Sequence, residues 1–266
     1  MEMRRIEMKL YFFEAGILKS QKQYFTMGLG VGQPFDVPVP FLLIDHPKGV
    51  VLFDTGNALE VVGNKEKHWP GIWEAYNVFM TEDQWCVNAI QKVGYKPSDV
   101  KYVILSHLHL DHAGCVGHFP NAKYIVQRDE LHYAYVPDFF MKAAYIRKDF
   151  DKPVDWMLLE GWRQDRFDLF GDGKIIIYFT PGHTPGHQSV LVNLPQSGPM
   201  FFASDSCYTK ENIDNNILSG LAWSYGESVK TVERMKYLRA CLGAEIVTGH
   251  DPEGWKAYRK APNYYE

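Results

Sequence analysis

Cysteine is scarce in this chain of 266 residues, and Cys86, Cys115, Cys207 and Cys241 lie far apart with no CxxC pair. That spacing excludes a disulfide framework and a thiolate zinc site, and it points to a reducing compartment. No apolar run approaches the roughly 20 residues of a membrane span. Met1 to Leu18 is interrupted by Glu2, Arg4, Arg5, Glu7, Lys9 and Glu14, so it does not read as a secretory leader. The expectation is a soluble, cytoplasmic protein with no membrane partner. Positive charge is not in excess either: 28 basic against 32 acidic side chains give a formal net charge of −4. Nucleic acid is therefore not expected as a partner, because phosphate binding leaves a basic footprint. Linkers, low-complexity tracts and charge blocks are missing as well, so residues 1–266 read as a single domain. With 46% hydrophobic and 23% charged residues, the chain is too apolar to be disordered.

What is present is a series of short apolar runs with turn punctuation. Phe41 to Ile44 and Val50 to Phe53, separated by Asp45-His46-Pro47-Lys48-Gly49, predict a β-hairpin. Further strands are predicted at Tyr102 to Leu105, Tyr124 to Val126, Ile175 to Phe179, Ser189 to Val192, Met200 to Phe202 and Ile246 to Val247. Thr81-Glu82-Asp83-Gln84 fits a capping box, after which Trp85, Ala89 and Val93 recur at helical spacing and Gly94 ends the helix. Val229, Val232, Met235, Leu238 and Leu242 form a second helical stripe, stopped by Gly243. Strands interleaved with helices predict an α/β or layered α+β domain. Val50 to Asp54 and Met200 to Asp205 are both apolar strands running into an aspartate, a hint of internal symmetry.

The chain carries ten histidines, and four potential ligands fall within six residues after the strand at Tyr102. They are His107, His109, Asp111 and His112. In extended chain, residues two apart point to the same side, so His107 and His109 can converge on one ion while Asp111 and His112 face a second. Three later strands also end in a ligand-type residue: His183 after Thr180-Pro181-Gly182, Asp205 after Ser204, and His250 after Gly249. Imidazole and carboxylate are the donors expected of zinc or a similar divalent metal. Five histidines and two aspartates are too many for one tetrahedral ion and suit two, with one carboxylate between them. His46, His68, His118 and His132 read as structural, and His187 reads as support for a ligating histidine. Asp54 fits either such support or a turn former.

These residues, HxHxDH at His107 to His112 followed by His183, Asp205 and His250, resemble the metallo-β-lactamase superfamily. The resemblance implies an αβ/βα sandwich with a dinuclear metal site at the sheet edge. It also places His107, His109 and His183 on one metal and Asp111, His112 and His250 on the other, with Asp205 bridging. More locally, Thr180 to Ser189, Asp205 to Asn212, Gly249-His250-Asp251 and the opening Leu10 to Gly16 resemble the N-acyl homoserine lactonases, which degrade bacterial quorum-sensing signals. Tyr208 matches that family's substrate-contacting tyrosine. Leu110 and Cys115 depart from the family pattern, and the aromatic-rich inserts Val61 to Met80 and Tyr133 to Trp156 are not anticipated by its motifs.

The expected function is metal-dependent hydrolysis of the lactone ring of an N-acyl homoserine lactone. Two adjacent divalent cations, zinc first among them, bring the pKa of a bridging water toward neutrality, so a metal-bridging hydroxide is the expected nucleophile. Tyr208 is expected to steady the oxyanion and Asp111 to carry a proton to the departing ring oxygen. Phe25, Met27, Trp69, Phe140 and Trp223 head the candidates for an apolar acyl slot, with Trp73, Phe79, Phe139, Met141, Tyr145 and Leu221 behind them. The same aromatic inserts suit a homodimer. The alternative reading is a glyoxalase-II-like thioesterase, which shares the ligand pattern. It ranks second because only sixteen residues follow His250, where that group has a glutathione-binding helical region. A β-lactamase is disfavoured by Asp205 at the bridging position, and a binding module without catalysis by the full ligand set.

Overall fold

A computed structural model describes residues 8–73 and 75–266. Residues 1–7, which carry four of the charges set against a leader, lie outside it. Among the described residues, twelve strands form two sheets. The first holds β1 (Lys9–Gln21), β2 (Pro34–His46), β3 (Gly49–Phe53), β4 (Asn77–Phe79), β5 (Val100–Ile104), β6 (Lys123–Gln127) and β7 (Asp155–Leu159), in the order β4-β1-β2-β3-β5-β6-β7. The second holds β8 (Arg166–Asp168), β9 (Ile175–Phe179), β10 (Gln188–Leu194), β11 (Gly198–Ser204) and β12 (Glu245–Thr248), in the order β12-β11-β10-β9-β8. The helices are α1 (Lys65–His68), α2 (Cys86–Gln91), α3 (Arg128–Tyr135), α4 (Arg147–Phe150), α5 (Lys210–Asp214), α6 (Tyr225–Leu242) and α7 (Pro252–Lys256).

Alternation along the strands sorts the core into layers, since successive side chains leave a strand on opposite faces. Leu10 and Phe12 of β1 meet Ile175 and Ile177 of β9 and Phe202 of β11 between the sheets. Tyr11 and Phe13 face the other way, into a cluster with Ile90 of α2 and Phe150 of α4. On the far side Tyr178 and Phe201 pack on Val232, Met235 and Leu238 of α6. This is the layered α/β sandwich expected.

The predicted hairpin forms, with Asp45 opposite Val50 and His46 opposite Gly49. The helix expected after Thr81 is broken in two. A 3-10 turn over Glu82–Gln84 precedes α2, and Trp85 between them is extended (ψ 133°). The stripe on α6 is also narrower than expected. Val229 and Leu242 are about half exposed, while Ser228 and Thr231 join the buried face. Gly243 ends this helix in the left-handed region, where it has no Cβ to clash.

Candidate metal centre

Five loops meet at one edge of the sandwich, following β3, β5, β9, β11 and β12. Two of them leave their strands through non-glycine residues in the left-handed region, Asp54 (φ 57°) and Ser204 (φ 48°). Such conformations are uncommon and persist where surrounding contacts hold them. These two positions are the aspartate-ended runs of the sequence, now side by side: Ser204 Oγ donates to Asp54 Oδ2 at 3.2 Å. After β5 the chain makes a tight turn in which the amides of His112 and Ala113 both donate to the His109 carbonyl.

Two groups of ligand-type atoms result, each within 4.8 Å of one another. One comprises His107, His109, His183 and Asp205; the other comprises Asp111, His112 and His250. Asp205 lies between them. Its Oδ2 is 3.6 Å from His107 Nε2 and 3.3 Å from His183 Nε2, while its Oδ1 is 3.2 Å from His112 Nε2 and 3.1 Å from His250 Nε2. Asp111 reaches across its own group, 3.6 Å from His112 Nε2 and 3.5 Å from His250 Nε2.

The outward nitrogens fix the rings. His112 Nδ1 meets Asp54 Oδ2 at 2.9 Å, His250 Nδ1 meets the Pro38 carbonyl at 2.7 Å, and His107 Nδ1 meets Ser106 Oγ at 2.9 Å. A proton held on Nδ1 leaves Nε2 as a lone-pair donor aimed inward. His109 is reversed, with Nδ1 3.0 Å from His183 Nε2. His107 Nε2, His112 Nε2 and Asp205 Oδ1 are buried at the centre without a hydrogen-bond partner. Orphaned buried groups of this kind are rare in folded proteins. Their convergence fits divalent metal ions, which the donor set implies.

The electrostatics divide along the same line. Burial, with the neighbouring imidazoles, holds His107 and His109 well below the usual histidine pKa. Burial also acts on His112, but Asp205, Asp111 and Asp54 outweigh it and raise its pKa well above the usual value. Burial alone would raise Asp205, yet His112 and His250 hold it well below the carboxylate range.

A cavity of about 190 Å³ opens onto the cluster. Leu18, Tyr24, Phe25, Ile72, Tyr76, Leu110, Phe140, Met141 and Leu221 give it an apolar wall, and His109, Asp111, His183, Asp205, Tyr208 and His250 form its floor. Tyr208 is buried, and its hydroxyl lies 3.2 Å from His183 Nδ1. Burial, then Asp205, pushes its phenol well up, so it keeps its proton.

A family model of the metallo-beta-lactamase superfamily matches residues 35–250. The chain belongs to the metallo-beta-lactamase superfamily. Within it the chain is similar to the N-acyl homoserine lactonase AttM of Azorhizobium caulinodans, at 45% identity over 98% of this chain and 99% of that protein. It is 32% identical to the N-acyl homoserine lactonase AiiA of Bacillus thuringiensis subsp. kurstaki, over 96% of this chain and 98% of the relative. Among solved structures, a B. thuringiensis AiiA mutant with N-decanoyl-L-homoserine bound at the active site superposes with a TM-score of 0.87, at 31% identity over 96% of this chain and 98% of that one.

Within this superfamily fold, the acyl-slot candidates separate. Phe25 and Phe140 line the cavity; Met27, Trp69 and Trp223 do not. Trp69 is fully buried in the core under the first insert, so it anchors that wall, and Ile72 and Tyr76 present to the cavity instead. Met27 is exposed on a loop tied to the Leu218 carbonyl, and Trp223 is placed by its amide donating to the His183 carbonyl. His187 joins neither ligand group. Its Nδ1 meets Thr180 Oγ1 at 2.9 Å and its ring packs 5.2 Å from that of His107. Asp54 serves both roles left open for it, as a left-handed turn and as the partner of His112. Cys115 is buried, with its amide on Thr55 Oγ1.

Sequence reasoning missed Ser106, Ser204 and Glu130. Glu130 is wholly buried and accepts from the Leu108 amide, the Tyr145 hydroxyl and the Thr184 hydroxyl. One carboxylate thus ties the His107 loop, the second insert and the His183 loop. Nothing in the periodicity of α3 marks it. Ser106 could have been suspected from its place directly before the HxHxDH run.

Proposed function

We propose that this protein opens the lactone ring of N-acyl homoserine lactones. The observation that carries the reading is whole-length similarity to the AttM and AiiA lactonases, together with an apolar cavity whose floor is the histidine and aspartate cluster. We assign His107, His109, His183 and Asp205 to one ion and Asp111, His112, His250 and Asp205 to the other, with zinc as the ion.

When bound, the two ions supply Lewis acidity and a water acidified toward neutral pH. The chain does the rest. The cavity wall takes the acyl chain and excludes water. With His183 Nε2 turned to the cluster, its Nδ1 proton is donated to the Tyr208 oxygen. The phenol proton is then free for the substrate carbonyl oxygen, where negative charge grows as water adds. Asp111, at the cavity floor, takes a proton from the attacking water and returns it to the ring oxygen as the carbon–oxygen bond breaks. The products are one N-acyl homoserine and no other fragment.

The test is incubation of metal-replete protein with homoserine lactones of several acyl lengths beside a glutathione thioester. Ring opening is the expected result, and cleavage of the thioester alone would select the thioesterase reading. We place the protein in the cytoplasm on its four free cysteines. We also propose a homodimer, because Met27, Phe139 and Phe140 are exposed on the segments that carry Phe25 and Met141. A light-scattering mass of one chain would refute the dimer.

A further inference from the structure

A second buried histidine–aspartate pair lies outside the metal cluster. His68 Nε2 is 2.8 Å from Asp149 Oδ1 and 3.2 Å from Oδ2, and the two residues are 4% and 6% exposed. His68 closes α1 in the first insert, and Asp149 sits on α4 in the second. Among the described residues, this pair is the only hydrogen-bonded contact between the inserts. Buried polar pairs of this kind are weak contributors to stability because desolvation offsets the attraction. Their better-attested use is to select one arrangement among several.

The arrangement at stake is the cavity. Beyond His68 the buried Trp69 anchors a turn in which the amides of Ala75 and Tyr76 donate to the Ile72 carbonyl. That turn delivers Ile72 and Tyr76 to one wall. Before Asp149 the chain delivers Phe140, Met141 and Ala144 to a second part of the same wall, tied down by the Leu110 amide on the Ala144 carbonyl and by Tyr145 on Glu130. The second part is therefore fixed to the metal loop; the first is held to β1 by β4 just after Tyr76 and is joined to the second through His68 and Asp149.

We propose that the His68–Asp149 pair is the latch that sets the gap between the two inserts, and so sets the acyl length the cavity accepts. Both are positioning residues. The inference rests on the lactonase reading for its substrate, but the latch itself can be tested without it.

The experiment compares kcat and KM for decanoyl and butanoyl homoserine lactones in metal-loaded wild type, His68→Leu, Asp149→Asn and His68→Gln. In His68→Leu the decanoyl-to-butanoyl ratio of kcat/KM should shift about tenfold, through KM, the size of effect that small changes of apolar fit produce. Asp149→Asn should shift it less, and serves if the leucine variant does not fold. A glutamine amide in place of the imidazole can still reach Asp149, so His68→Gln should restore the wild-type ratio. Equal loss on both substrates, or an unchanged ratio, would overturn the latch. If wild type opens no lactone, the lactonase reading fails instead. The latch is then judged by hydrogen exchange: faster exchange over both 70–80 and 135–146 in the variants supports it, and change confined to the mutated element refutes it.

Discussion

Replacing Asp54 by asparagine separates the charge of this residue from its shape. Asparagine tolerates the left-handed backbone found here at φ 57°, so strain is not added. The two carboxylate oxygens have different obligate donors: the Ser106 amide is 2.6 Å from Oδ1 and His112 Nδ1 is 2.9 Å from Oδ2. Asparagine has one oxygen. Whichever way its amide turns, an N–H faces another N–H. One hydrogen bond to a charged acceptor is lost and a buried donor is left unpaired, together worth about 2–4 kcal/mol. For a chain of this length that is a fall in Tm of roughly 4–7 °C. The escape for His112 is to move its proton to Nε2, which removes the lone pair aimed at the metal. Affinity at that position should then fall about 10–100-fold. Chelator competition with metal counted per chain, beside thermal melts of the loaded protein, reads both effects. An Asp54→Asn protein that held two ions as tightly as wild type and melted at the same temperature would refute the assignment of Asp54 as the group that orients His112.

Three further outcomes are expected. Tyr208→Phe should lower kcat by about 100-fold, the size of one lost oxyanion donor, with metal content unchanged by elemental analysis. Glu130→Ala strands three donors and should destabilise by about 3–5 kcal/mol in denaturant melts. Glu130→Gln should cost only about 1 kcal/mol, because the Thr184 hydroxyl can turn to accept from the new amide. Above about pH 6.5, where the depressed His107 and His109 are neutral in both states, metal-free and metal-loaded protein should respond oppositely to pH. Without metal, the raised His112 and His250 contribute stability that is present below the ordinary histidine pKa of about 6.5 and lost as pH rises through their folded values. The depressed Asp205 contributes stability that is present above the ordinary carboxylate range and is lost progressively as pH falls from there through its folded value. Metal binding needs neutral imidazoles, so the loaded protein should gain Tm over the same rise in which the stripped protein loses it.

The legible part of the fold is the part where one residue type has one use. The inner strands around Val50, Ile175 and Met200 are apolar on both faces because layers cover both, and the ligands follow them within a few residues, so both strand and site stand out. β1 is thirteen residues long with eight of them buried, but Gly16 and a register shift between Glu14 and Ile17 break its pattern. The short β4 and β8 have three residues each, too few for alternation to register. Glu130, Ser106 and Ser204 escaped because a buried polar residue is recognisable only from its partners, and those come from segments far apart in sequence. Trp69 misled for the complementary reason: a tryptophan in an insert satisfies core and cavity equally well on composition alone, and only the turn at the Ile72 carbonyl decides that Ile72 and Tyr76, and not Trp69, face the cavity.

The two aspartate-ended strands carry the deeper regularity. Each leaves its sheet through a left-handed residue, and each of those sheets continues beside it with a parallel strand, β5 next to β3 and β12 next to β11. A parallel neighbour brings a second strand end to the same edge, so each half of the sandwich delivers a pair of loops. The first pair carries Asp54 and the His107 to His112 run; the second carries Asp205 and His250. Because Ser204 Oγ also lies 3.0 Å from Ser106 Oγ, the two halves are joined by one hydroxyl and carboxylate network directly beneath the ligands. The first half supplies the turn that orients His112, and the second supplies the carboxylate between the two groups. Neither half holds a complete set for either ion, which makes the metal site depend on the packing of the two sheets and ties metal loading to the integrity of the inter-sheet core.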